Sequence, residues 1–291
     1  MGNLKFKVMI GVIPGYGHEN KDLTASNALE VGMKEWKDAV ENVANTKSDL
    51  ENSESQNFYN VGGKIVPALA VYSQKFGCPI GGEVGIQVES SINEAKNEEK
   101  DEEKDEKKDE KLYRKSVIET IKVAMEKLGQ NTATIEWSEE DRNKGMTYLS
   151  EGGKKKTDND SKEGIEHFSV SLGDGTSSNE EFVRVGCAIQ DAMDKVSDTR
   201  TGKNDEKYYM ISGIMTPIHA DNGGIQFSAS QNPLYGQKSN ELYRQSVIKT
   251  IEQVMKTLGQ KSTSIDFGKE TVTLDLEEIL KQESEMGELS E

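Results

Sequence analysis

Apolar and polar positions alternate at the start of the chain: Leu4, Phe6, Val8, Ile10 and Val12 are separated by Lys5, Lys7, Met9 and Gly11. A period of two is that of a strand with one buried face. From Thr24 the period changes, and Ala28, Val31, Gly32, Trp36, Ala39, Val40 and Val43 fall on one broad face of a helix. Gly63–Ser73 and Gly85–Ser90 again read as strands, joined as a hairpin by the turn Phe76–Gly82; Pro67 points to an edge position or a bulge. Leu112, Val117, Ile118, Ile121, Met125 and Leu128 recur at helical spacing, Gly129 stands where a left-handed residue ends a helix, and Thr132–Trp137 alternates once more.

This last stretch occurs twice. Leu112–Trp137 reads LYRKSVIETIKVAMEKLGQNTATIEW and Leu242–Phe267 reads LYRQSVIKTIEQVMKTLGQKSTSIDF, with half of the positions identical and no gap. A period of 130 residues implies two domains in tandem rather than a solenoid. Smaller matches support it: Phe6-Lys7-Val8 with Phe168-Ser169-Val170, Val31-Gly32 with Val185-Gly186, and Gly85-Ile86-Gln87 with Gly224-Ile225-Gln226. The second half then reads strand 166–172, helix 179–196 capped by Ser178 or Asn179, strands 208–219 and 224–230, and the shared helix and strand.

The order β-α-β-β-α-β in each half is that of the ferredoxin-like split βαβ. The expected fold is therefore α+β: two tandem ferredoxin-like domains, each an antiparallel sheet with helices on one face, in a pseudo-two-fold duplication. The expected boundaries are 1–137 for the first domain, with a charged insertion at 93–111, then a flexible polar linker at 138–164. The second domain spans 165–270, and an acidic tail spans 271–291, where Leu274, Leu276, Ile279 and Leu280 suit a short docking strand or helix.

Charge narrows the partners. A formal net charge of −16 opposes a sequence-independent grip on nucleic acid. The apolar run at the N-terminus is too short and interrupted for a signal peptide or a membrane span, so a cytoplasmic protein is expected. Cys78 and Cys187 stand at unmatched positions with no metal-ligand spacing. No metal or cofactor is expected.

Candidate chemistry is sparse. If the first and third strands run parallel, the Pro14–Asn20 loop and the charged insertion share one end with the helix N-termini. Gly15 and Gly17 would then offer N–H groups to an anion, with Tyr16 and His18 adding a stacking ring and a proton. Neither a dinucleotide fingerprint nor a phosphate loop is complete there. The sheet face away from the helices would show Lys5, Lys7, Gln87, Glu89, Thr134 and Glu136 in the first half, and Ser169, Ser171, Gln226, Ser228, Ser264 and Asp266 in the second. Gln87 and Gln226 are equivalent, and aromatic residues for base stacking are missing. Arg114 and Arg244 match each other in the first turn of the shared helix, facing a carboxylate or an anionic ligand. His219, His18 and Tyr72 are the acid–base candidates.

The expected function is a non-catalytic binding or interaction protein. It would take a small polar or anionic ligand, or a protein partner, at the interface of the two halves or at the loop end of the first. The intramolecular pseudo-dimer is compatible with homo-oligomers. Two alternatives stand beside it: an α+β-barrel enzyme with a His or Tyr as acid–base group, and a structural or assembly protein.

Overall fold

The computed structural model describes residues 3–12, 25–46, 57–95, 106–139, 142–150, 166–201, 205–218, 223–231 and 239–288. The alternating stretches form strands β1 (Leu4–Gly11), β2 (Lys64–Val71), β3 (Glu83–Ser91) and β4 (Thr132–Glu139). Helices α1 (Ala25–Ala44), the short α2 (Ile92–Ala95) and α3 (Glu106–Leu128) lie between them, and β5 (Arg142–Ser150) follows. The second half gives β6 (His167–Leu172), α4 (Asn179–Ser197), β7 (Gly213–Pro217), β8 (Ile225–Ser230), α5 (Asn240–Leu258) and β9 (Ser262–Asp266), and the chain continues with β10 (Thr271–Asp275) and α6 (Leu276–Glu288).

Local chemistry explains the helix ends. Ser178 caps α4 and Ser239 caps α5, each hydroxyl accepting a backbone N–H three residues on. Gly129 and Gly259 take left-handed φ of 64° and 66°, and the residue after each returns its N–H to Met125 or Met255.

The expected pair of ferredoxin-like domains is not what forms. The strands make one ten-stranded sheet in the order β10-β9-β6-β8-β7-β2-β3-β1-β4-β5 rather than two separate sheets each carrying its own helices. In the expected fold β2 and β7 are exposed edges with unpaired backbone groups. Here Leu69, Ala70 and Val71 pair antiparallel with Met215, Ile214 and Gly213, which removes both edges. Pro67 lies before that ladder, so its missing N–H takes no bond from it. The middle strand of the second half is shorter than expected, beginning at Gly213.

Two further expectations change, and one is narrowed. Residues 142–150, assigned to a linker, pair with β4 as β5, burying Thr147 and Leu149. The charged insertion, whose Glu and Lys spacing suits either a disordered segment or an N-terminal extension of the following helix, is helical from Glu106 onward. β1 and β3 are antiparallel, with Gly11 opposite Gly85 and Lys5 opposite Ser91. The chain therefore leaves β1 beside the start of β3, and the residues after β3 lie at the other end.

The chain divides into two compact units: Met1–Ala68 with Val84–Ile165, and Leu69–Glu83 with Glu166–Glu291. In the first, Phe6 is fully buried, with the rings of Trp36, Tyr113 and Trp137 at 6.2, 6.3 and 6.3 Å. In the second, Phe168 holds the matching place, with Phe227 at 5.5 Å and Tyr243 and Phe267 at 6.4 Å. The shared motif builds both cores in the same way. Ser116 and Ser246 are buried, and their hydroxyls accept the backbone N–H of Tyr59 and Tyr209, each at 2.9 Å. Tyr59 lies against Tyr113, and Tyr209 against Tyr243.

Candidate functional site

Gly15, Tyr16, Gly17, His18 and His219 lie outside the described residues. Gln87 lies opposite Met9 on β3 and is half-buried; Gln226 lies opposite Ser171 on β8 and is exposed. Arg114 and Arg244 are committed to their own units. The Arg114 guanidinium sits 4.5 Å over Trp137 and donates to Glu110. That of Arg244 sits 5.3 Å over Phe267 and reaches Glu166 and Glu270. Hydrogen bonding to Glu166 holds the Arg244 charge more firmly than usual. Such stacked ion pairs are modest in energy and position the helix relative to its neighbouring strand.

Tyr72 leads to a more organised place. Its hydroxyl donates to Glu83 Oε2 at 3.1 Å, across the hairpin that leaves the first half of the sequence for the second unit. Between them a 3-10 turn, Gln74–Phe76, is capped at its start by Ser73 and closed by Gly77 at φ 88°. This hairpin lies along α4. An ideal Cβ on Gly186 would stand 1.9 Å from the Gly81 carbonyl oxygen, so backbone touches helix there and only glycine fits.

Gln190, 1% exposed, is the centre of the contact. Its Oε1 accepts the Gly81 N–H at 2.9 Å and the Gln74 amide at 3.2 Å, and its Nε2 donates to the carbonyls of Pro79 at 2.8 Å and Tyr72 at 3.3 Å. Further along the helix the Ser73 hydroxyl donates to Asp194 at 2.5 Å and Lys75 pairs with Asp198 at 3.1 Å. A turn of irregular backbone needs such partners wherever it loses water.

The electrostatics follow from burial. Desolvation pushes the Glu83 carboxyl up, and the Tyr72 hydrogen bond opposes this. Burial also pushes up the Cys78 thiol, which donates to the Ala70 carbonyl, and the Cys187 thiol. Thiols held protonated in this way are poor nucleophiles. Among the described residues no cluster of three or more His, Cys, Asp or Glu could hold a metal, and no helix is long and apolar enough to cross a membrane.

The outer side of the same turn carries large apolar side chains beside the exposed Gln74 and Lys75. Phe76 is 68% exposed and Ile80 74%, and Val183 on α4, against which Gly81 packs, is 49% exposed. Sequence reasoning chose Tyr72 but missed Glu83, Gln190, Asp194 and Gly186. One signal was present: a glycine inside a helix costs about 1 kcal/mol relative to alanine and implies close approach. Gly32, its match in α1, shows the same logic, since a Cβ there would meet Ile86 at 2.5 Å.

Compared with known proteins, the sequence matches no protein-family profile, and no curated protein is significantly similar to it.

Proposed function

We propose that this chain is a non-catalytic, cytoplasmic interaction protein that recognises a protein partner at the hairpin docked on α4. The observation that carries this reading is the clamp itself. Gln190 fixes both ends of the connection between β2 and β3 through Tyr72, Pro79 and Gly81, and the turn so fixed leaves Phe76 and Ile80 exposed. Ordering a loop before it meets a partner lowers the entropy lost on binding. Exposed apolar side chains held in a fixed place can anchor a protein partner.

The repeated motif supports the reading from the other side. Its Tyr, Arg and Ser residues are engaged within the two cores, which leaves specificity to the segment in which the halves differ. The test is native mass spectrometry of the chain purified from its own cell. The unaltered protein should carry a protein partner, Gln190→Ala should lose it at least tenfold, and Ser116→Ala should keep it. A bare chain, or equal retention in Gln190→Ala, contradicts the reading.

A further inference from the structure

We propose that Phe76 and Ile80, with Val183 beside the turn, form an apolar knob that seats in a pocket of a basic partner protein; this rests on the interaction reading above. The side chains are exposed on a turn whose backbone is bonded to α4 through Pro79 and Gly81, so the turn that carries them is held in place. Gly81 is part of this fixation, because its backbone lies on Val183, with an ideal Cβ 3.3 Å from Val183 Cγ1. A projecting turn complements a concave surface, and apolar anchors seated in a pocket concentrate binding energy.

Charge selects the occupant. The hairpin 69–83 and α4 through Asp198 carry six acids against three bases, Lys75, Arg184 and Lys195. Two of those bases are already paired, Lys75 with Asp198 and Arg184 with Glu181, which leaves Glu83, Glu180, Asp191 and Asp194 against Lys195. The whole chain carries −16, so a second copy and an anionic bilayer are both repelled on approach. A basic protein is drawn in, and the attraction falls with salt because surface charges are screened beyond roughly 8 Å at physiological ionic strength. Among these occupants, only a basic partner satisfies both the apolar anchors and the acidic surround.

The test places a photo-reactive benzophenone analogue of phenylalanine at position 76 of the full chain in its own cell, and in a control at position 31, exposed on α1 in the other unit. Irradiation from position 76 should give one adduct, with a protein whose isoelectric point lies above neutrality. Ile80→Asp should reduce that adduct at least tenfold, as should raised salt in a lysate. An adduct with a second copy, with lipid or with an acidic protein overturns the proposal. Adducts from position 31 alone overturn both the knob and the hairpin as the contact, whereas a partner that is lost from Gln190→Ala in native mass spectrometry but gives no adduct at position 76 overturns the knob alone. No adduct from either position, together with a bare chain in native mass spectrometry, overturns both.

Discussion

The repeated segment and the docked hairpin solve different problems with similar means. In Leu112–Trp137 and Leu242–Phe267, identical residues make identical contacts: a tyrosine in the aromatic cluster, an arginine over a ring, a serine catching an incoming N–H. In the hairpin 69–83, a buried glutamine catches N–H and C=O groups in the same way, yet the turn it holds leaves Phe76 and Ile80 exposed. The turns also differ in length, since 11 residues separate β2 from β3 and 7 separate β7 from β8. Shared residues thus mark shared interiors, and the unmatched segment marks the surface with something to present.

The comparison breaks first if the two cores are unequal. Phe6→Ala and Phe168→Ala should each cost about 3–5 kcal/mol in urea unfolding, the range for large aromatic truncations in a core. A silent Phe168→Ala would show that the second core is built differently. Next comes Gly186→Ala. Alanine favours a helix over glycine by about 1 kcal/mol, but the added carbon would meet a backbone carbonyl that has no rotamer to escape into, so the net effect should be a loss of about 1–3 kcal/mol. A stabilised variant would mean that the hairpin does not rest on α4.

Ser116→Ala and Ser246→Ala sharpen the equivalence. Each leaves one backbone N–H without its acceptor and should cost about 1–3 kcal/mol, with the two values within experimental error of each other. The smallest effect concerns pH. Burial raises the folded-state value of Glu83 above that of the unfolded chain, so the folded protein holds this proton more tightly. The stability this confers is fully present below the ordinary carboxylate value and is lost as pH rises through the higher folded value. Glu83→Gln should therefore flatten the fall in stability between those two values, measured by urea midpoints at stepped pH. An unchanged slope contradicts the burial of Glu83.

Much of the element order was legible because it is local. Alternation gave β1, helical spacing gave α3 and α5, and Gly129 and Gly259 ended them as their position requires. The sheet was not legible, because the pairing of β2 with β7 joins residues far apart in sequence and carries no local mark. Ile211, Ile214, Met215 and Ile218, apolar on both sides of the stretch 208–219, hinted that something covers it but not which strand pairs with it. β5 was hidden in a polar stretch, where Met146, Thr147 and Leu149 are few against their charged surroundings. For the site, Tyr72 was visible as a residue type, whereas Gln190 looks like any helical glutamine until the chain brings Gly81 and Pro79 to it.

The central claim is that Gln190 clamps the hairpin onto α4, and amide hydrogen exchange at Gly81 tests it most directly. The account predicts slow exchange of the Gly81 N–H in the unaltered protein. In Gln190→Ala that protection should fall at least tenfold, while Tyr59 and Tyr209, held by Ser116 and Ser246, exchange as before. Gly81 exchanging as fast as an unprotected amide in the unaltered chain, or unchanged in Gln190→Ala, would contradict it.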